Sequence, residues 1–167
     1  MKNLTVYIVN IIIAYLAASI FFQFFDFLPF NATSAIGLFL IFYFILWLLS
    51  YFYDKSHFKK VPKIISLILF FIKELVIASL KVAYDVMTPN FMMKPSVLAL
   101  PLDAESDLEI TVLASLISLT PGTLSIDVTD DRKILYVHAM YTTNGDLEIL
   151  KKEIKQGFER RILEITR

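Results

Sequence analysis

Hydrophobic and polar positions fall into three textures along the chain. Between Lys2 and Asp26 there is no charge, and the run is rich in Ile, Leu, Val and Phe; residues 33–53 repeat that texture. At about 1.5 Å per residue, a helix over 4–25 covers the roughly 30 Å hydrocarbon core of a bilayer, and so does a second over 33–53. The linker 26–33 (DFLPFNAT) is short, and Pro29 discourages helix through it. The first run is too long for the core of a signal peptide and leads into another apolar run, so it reads as a retained span. Trp47, Tyr51 and Tyr53 mark the far end of the second span with rings that favour the headgroup level.

Residues 62–87 have a different texture. Their longest uncharged run is the nine residues 64–72, ended by Lys73 and Glu74. On a helix at about 100° per residue, Lys63, Glu74 and Lys81 lie almost on one line, with Lys73 and Asp85 beside it. The remainder is apolar, which makes an amphipathic helix whose wide apolar face can lie in the membrane interface. The rival is a third span with Lys73 and Glu74 covered by partner helices, since bare charge in lipid is costly. A third span would carry either the polar tail or the lysine-rich loop to the outside, so two spans and an interfacial helix are preferred. The domain reading is a transmembrane hairpin over 1–60, a membrane-associated amphipathic helix over 61–89, and a cytoplasmic domain over 90–167.

In that last part the period changes again. Residues 96–102 (SVLALPL) read as a short strand, with Pro101 tolerable at an edge or strand end. Ser106 and Glu109 make a capping box opening a helix to about Leu119 that is apolar nearly all round. Leu124, Ile126 and Val128 alternate with Ser125, Asp127 and Thr129, the pattern of a half-buried strand. Asp130, Asp131 and Arg132 suit a hairpin turn, a strand returns over 134–141, and Asn144-Gly145 breaks it. A last helix aligns Leu147, Leu150, Ile154, Phe158, Ile162 and Ile165 on one stripe. The order β-α-β-β-α predicts an α+β domain with helices on one face of a small sheet, attached to a membrane hairpin.

Charge sharpens this picture. The 16 basic and 16 acidic residues cancel, but only Lys2 and Asp26 lie before residue 54. A single water-soluble globule and a disordered chain are both excluded. The balance also argues against a nucleic-acid partner, which would select a basic excess. Lys55, Lys59, Lys60 and Lys63 follow the second span, whereas the first linker has no basic residue. The positive-inside bias therefore places this loop and the N-terminus in the cytoplasm, giving a multi-pass protein of the cell membrane with its C-terminal domain cytoplasmic.

Candidate chemistry is thin. There is no cysteine, and His57 and His138 lie too far apart for metal-ligand spacing. His57 reads as a solvated or interfacial histidine of the lysine-rich loop, and His138 lies inside a strand with no serine–acid pair nearby to make a triad. Asp103, Glu105, Asp107 and Glu109 surround a helix start, where negative charge complements the dipole. Neither a calcium loop nor a glycine-rich phosphate loop is present, so no catalytic residue, cofactor or metal site is assigned. Lys73 and Glu74 stand out as intramembrane charge candidates. Asp26 sits at the outer end of the first span, and the centres of both spans lack an acid, so the hairpin alone cannot make a charge-coupled ion path. Thr120, Pro121, Gly122 and Thr123 form a sharp helix-to-strand reversal and a candidate partner contact. With the apolar helix 108–119, this turn is expected to dock the domain on a neighbour.

Residues 114–129 (ASLISLTPGTLSIDVT), followed by 135–139 (LYVHA), resemble the E subunit of Mrp-type (also called Mnh) multisubunit sodium/proton antiporters. Residues 71–76 (FIKELV), 83–89 (AYDVMTP) and 154–162 (IKQGFERRI) extend the resemblance along the chain. It implies an accessory subunit of a membrane complex that exchanges cytoplasmic sodium for external protons. Its partners would be the other subunits and the lipid bilayer. The resemblance carries over no catalytic residue; translocation is assigned mainly to large subunits related to those of respiratory complex I. The alternative is a free-standing, membrane-tethered cytoplasmic sensor or binding module.

Overall fold

The computed structural model describes residues 2–25, 29–53, 55–89, 93–142 and 147–167. Asp26 and the Asn144-Gly145 break lie outside these residues, and the side chains of Tyr53 and His57 are not described. The chain divides into two compact parts, Met1–Pro62 and Lys63–Arg167.

In the first part the uncharged runs form α1 (Lys2–Phe24) and α2 (Ala32–Tyr53). Both are long and apolar enough to cross a membrane, over Thr5–Phe24 and Ala32–Phe52, with mean hydropathies of 2.1 and 2.3. The helices pack on one another, and Phe21 of α1 meets Phe42 of α2 edge to face, ring centres 6.4 Å apart. Asn10, Ala14 and Ala18 are buried at four-residue spacing on one face of α1, where small side chains allow close helix approach. Most other side chains of both helices point outward, as a lipid-facing surface requires. Asn31 starts α2 by accepting the Ser34 amide at 2.8 Å. The Trp47 indole stacks on Phe58, centres 5.0 Å apart, and donates to the Phe58 carbonyl at 3.2 Å.

α3 (Lys55–Met87) begins ahead of Pro62, the residue at which the two parts divide. From Lys63 onward it belongs to the second part, where its two sides have opposite roles. Leu67, Phe70 and Phe71 pack against the core of the α+β domain, and Asp85 is only 1% exposed. The line of charges predicted from spacing runs along this same side: Lys63 donates to the Glu164 carbonyl at 2.7 Å. Ile65, Ile68, Leu69, Ile72, Val76 and Leu80, on the opposite side, are 48–64% exposed. Thus α3 turns its polar side toward the protein and leaves its apolar side open.

The remainder follows the predicted order: β1 (Ser96–Pro101), α4 (Asp107–Leu119), β2 (Thr123–Val128), β3 (Ile134–Ala139), α5 (Leu147–Ile154), a π-helical turn Lys155–Glu159, and α6 (Arg160–Thr166). The sheet is antiparallel with order β1-β3-β2, so β1 is an edge strand and Pro101 ends it without costing a ladder bond. Leu98 and Leu100 of β1 stand opposite Val137 and Leu135 of β3. With Leu113, Ile117, Ile154, Phe158 and Ile162 they build the core. The chain is a membrane protein of α+β class.

Two local readings change. The alternation in β2 predicts Leu124 and Ile126 as inward-facing, yet each is 53% exposed. The turn delivers the strand in the opposite phase, because Ser125 faces α4, with its hydroxyl donating to the Ala114 carbonyl and its amide to Ser118 Oγ, both at 3.0 Å. A bulge between Ser125 and Asp127 then resets the register and returns Val128 to the core. The single closing helix is likewise interrupted by the π turn. Leu150, Ile154, Phe158 and Ile162 are spaced by four, and each such step overshoots an α-helical turn by about 40°. The wider π turn absorbs that drift and keeps Ile154, Phe158 and Ile162 buried together.

Candidate functional site

The signature turn is first a helix terminus. Thr120 Oγ1 donates to the Leu116 carbonyl at 2.9 Å, and Thr123 Oγ1 donates at 2.6 Å to the Ile117 carbonyl, which also accepts the Thr120 amide at 3.1 Å, so both hydroxyls help close the end of α4. Gly122 adopts φ +90°, which an L side chain rarely tolerates, and a Cβ there would lie 3.1 Å from the Tyr141 ring. The Gly122 carbonyl accepts the Met140 amide at 2.7 Å and so ties the turn to the chain leaving β3.

Beside this turn lies a cavity of about 610 Å3. It is bounded by α3, by the end of α4, by α5 and by the π turn with α6, and it joins the two groups of residues singled out from sequence: Thr120 and Thr123 on one side, Lys73 and Glu74 on the other. Pro121 and Gly122 are not part of its lining. Three of the stretches that carry the family resemblance, 71–76, 114–129 and 154–162, contribute to its walls.

Phe70 organises the cavity. Its ring meets Phe158 edge to face with centres 5.1 Å apart. The guanidinium of Arg161 sits 4.0 Å from the same ring centre. Arg161 also donates to the Gly157 carbonyl at 2.8 Å and the Gln156 carbonyl at 3.3 Å, both in the π turn. Gly157 is required by proximity, since a Cβ there would stand 2.8 Å from Phe70 Cζ. Lys73 pairs with Glu74 at 3.2 Å and lies 5.7 Å from the Phe70 ring centre. Lys81, Glu153 and Arg160 complete the charged lining.

The acids around the start of α4 are engaged in the fold. Glu109 closes the capping box, accepting the Glu105 amide at 3.0 Å and the Ser106 amide at 3.1 Å. The Thr166 hydroxyl, then the Ser106 and Glu105 amides, hold its carboxyl at about 2 against the opposing effect of burial. Glu159, 1% exposed, accepts the two preceding amides, Asp103 at 2.6 Å and Ala104 at 3.0 Å. Four consecutive amides of the β1–α4 connection therefore end on two buried carboxylates. Lys155 lies 3.4 Å from the other oxygen of Glu159 and 2.6 Å from Asp103. Partial burial works against its charge, but the Asp103 hydrogen bond and both carboxylates hold the ammonium above its usual range. Asp107 pairs with Arg132 at 3.0 Å and Glu105 with Arg167 at 3.5 Å. Among the described residues no group of three or more His, Asp or Glu could hold a metal ion. His138 lies on the outer face of the sheet, opposite Val97 and Leu124.

Sequence reasoning missed Glu159 and Arg161, and it read Asp85 only as a charge beside the line of α3, not as the buried group that it is. Burial pushes the Tyr141 hydroxyl above its ordinary range, as does the Asp85 carboxylate to which it donates at 3.2 Å. Nothing local signalled the burial of Glu159, because the amides it accepts belong to the distant β1–α4 connection.

The chain is similar to several characterised proteins. It is 43% identical over 109 residues to the E subunit of the Na(+)/H(+) antiporter of Alkalihalophilus pseudofirmus, covering 65% of this chain and 68% of the relative. It is 39% identical over 143 residues to the corresponding Na(+)/H(+) antiporter protein of Bacillus subtilis, covering 82% of this chain and 88% of the relative. Its fold matches a chain in the structure of the membrane-bound sulfane sulfur reductase, an archaeal respiratory membrane complex, with TM-score 0.53 and 22% identity over 94% of this chain and 96% of that one. From residue 4 to residue 165 the chain matches the family model MNHE, Na+/H+ ion antiporter subunit, and it belongs to that family.

Proposed function

We propose that this chain is an accessory subunit of a multisubunit cation (sodium)/proton antiporter, acting through subunit packing rather than chemistry. The family match over 4–165 is the observation that carries this reading. The structure adds a physical reason: α3 packs Leu67, Phe70 and Phe71 on its own domain and leaves an apolar side of about six large side chains without cover. In water that side would be a liability; in a membrane complex it is contact surface.

The hairpin α1–α2 anchors the chain, and the lysines at 55, 59, 60 and 63 orient its second loop to the cytoplasm. The domain after α3 is then cytoplasmic, and α3 lies in the interface rather than spanning the membrane. The signature turn, together with Leu108 and Leu119, both exposed on α4, forms the docking contact with a neighbouring subunit. A free-standing sensor has one feature in its favour, the cavity beside α3.

One experiment separates the two. Deletion of this chain is expected to abolish sodium/proton antiport in everted vesicles, and a tagged copy should retrieve the other subunits. Undiminished antiport and a tagged chain purified alone would overturn the proposal. Gly122→Val should reduce co-purification, but it also strains the fold. Leu119→Lys should reduce co-purification while leaving the thermal unfolding of the domain unchanged, and retention of the partners by Leu119→Lys would remove the docking contact from the proposal.

A further inference from the structure

We infer that the cavity beside α3 is a binding site for the headgroup of an anionic phospholipid. The inference rests on the interfacial reading of α3 given above. On the helix, the exposed apolar side occupies roughly 120° of the circumference, and the residues packed on the domain occupy the far side. Phe70, Lys73, Ile77 and Lys81 lie on the flank between them, and these are the α3 residues that face the cavity together with Glu74. The cavity therefore opens along the border between apolar surface and protein. A helix about 10 Å across that buries its apolar side by about 5–10 Å holds such a flank at the level of the phosphates.

The lining matches an amphiphile with a negative head. Lys73, Lys81, Arg160 and Arg161 face only two acids, Glu74 and Glu153. Lys73 and Glu74 neutralise one another at 3.2 Å and Arg160 lies 3.6 Å from Glu164, which leaves Lys81 and Arg161 against Glu153. Arg161 is held in place by the Gly157 carbonyl at 2.8 Å and the Phe70 ring at 4.0 Å, so its guanidinium loses little freedom when a phosphate arrives. Below this rim, Ile117, Leu150, Ile154 and Phe158 make an apolar floor suited to the glycerol backbone and first methylenes of a lipid. The volume of about 610 Å3 lies within the range of roughly 300–1,000 Å3 usual for small-molecule sites. A zwitterionic lipid brings no net charge to this excess of cations, and a free phosphate leaves the apolar floor uncovered.

The test uses the full-length chain in a nonionic detergent, with native mass spectrometry to count retained lipid. Dioleoyl phosphatidylglycerol should be retained roughly tenfold or more over dioleoyl phosphatidylcholine. In the Lys81→Glu, Arg160→Glu double variant the preference should fall to within about twofold at unchanged melting temperature. Equal retention of the two lipids by the unaltered chain would overturn the site, as would an unchanged preference in the double variant. Displacement of the lipid by millimolar glycerophosphoglycerol would reassign the cavity to soluble phosphate and overturn the lipid assignment. A Trp47→Phe, Leu69→Trp chain in vesicles of brominated lipid checks the underlying reading: no quenching fails the interfacial helix, whereas quenching without a phosphatidylglycerol preference fails only the site.

Discussion

At the scale of single residues, a few side chains perform tasks that their neighbours in the sequence do not reveal. Gly122 holds φ +90° with the Tyr141 ring against it, so an alanine there meets both backbone strain and a contact at 3.1 Å. Gly122→Ala should destabilise the domain by about 1–3 kcal/mol, read from urea unfolding followed by far-UV circular dichroism. Glu109 gives a pH prediction. Its carboxyl is held at about 2, below the 4.5 of an unperturbed group, by the Thr166 hydroxyl and the Ser106 and Glu105 amides. The ionised form is the one that is stabilised, so its contribution is complete above about 4.5 and is lost as pH falls toward 2. Melting temperature should decline across that window, and Glu109→Gln should start lower and decline less. An identical slope in the variant would remove Glu109 from the acid response. The capping role of Glu109 was legible because a serine and a glutamate three residues apart form a local motif. The role of Glu159 was not, because the amides it accepts lie more than fifty residues away in the chain.

At the scale of elements, the closing helix shows how spacing encodes more than a face. The repeated steps of four from Leu150 to Ile162 drift by about 120° on a regular α-helix, and the π turn narrows that spread. That turn places Gly157 against Phe70 and opens the carbonyls that Arg161 takes up. Gly157→Ala should therefore displace the Phe70 ring and cost about 1–3 kcal/mol, an overpacking penalty measurable as a lower urea midpoint. Phe70→Leu in the same chain should recover part of the loss, since it removes the atom that the new methyl meets; an additive double variant would show that the two sites are independent. Strand β2 carries the opposite lesson. Its alternation was clear, yet which parity faces inward depends on the turn at Gly122 and the bulge after Ser125, and both are decided by contacts with α4 and β3. Leu124 and Ile126 consequently stand on the open face of the sheet.

At the scale of the whole molecule, the central prediction is topology. A reporter fused after Arg167 should show a cytoplasmic signal, with alkaline phosphatase inactive and a fluorescent protein bright; the reverse pattern would require an odd number of spans. The sequence by itself determined two uncharged helices long enough to cross a membrane, the charge asymmetry beside them, the order of strands and helices, and the family. Each of these follows from local composition, from charge near the spans, or from motifs a few residues long. Only the tertiary structure decided that the charged line of α3 faces its own domain, that β2 turns its aliphatic residues outward, and that Lys73 and Glu74 share a cavity with Thr120 and Thr123. The physical reason is the same in each case. A helix or strand pattern states that two faces differ, but which face is buried depends on the partner that arrives from elsewhere in the chain, and here one available partner for an apolar face is lipid.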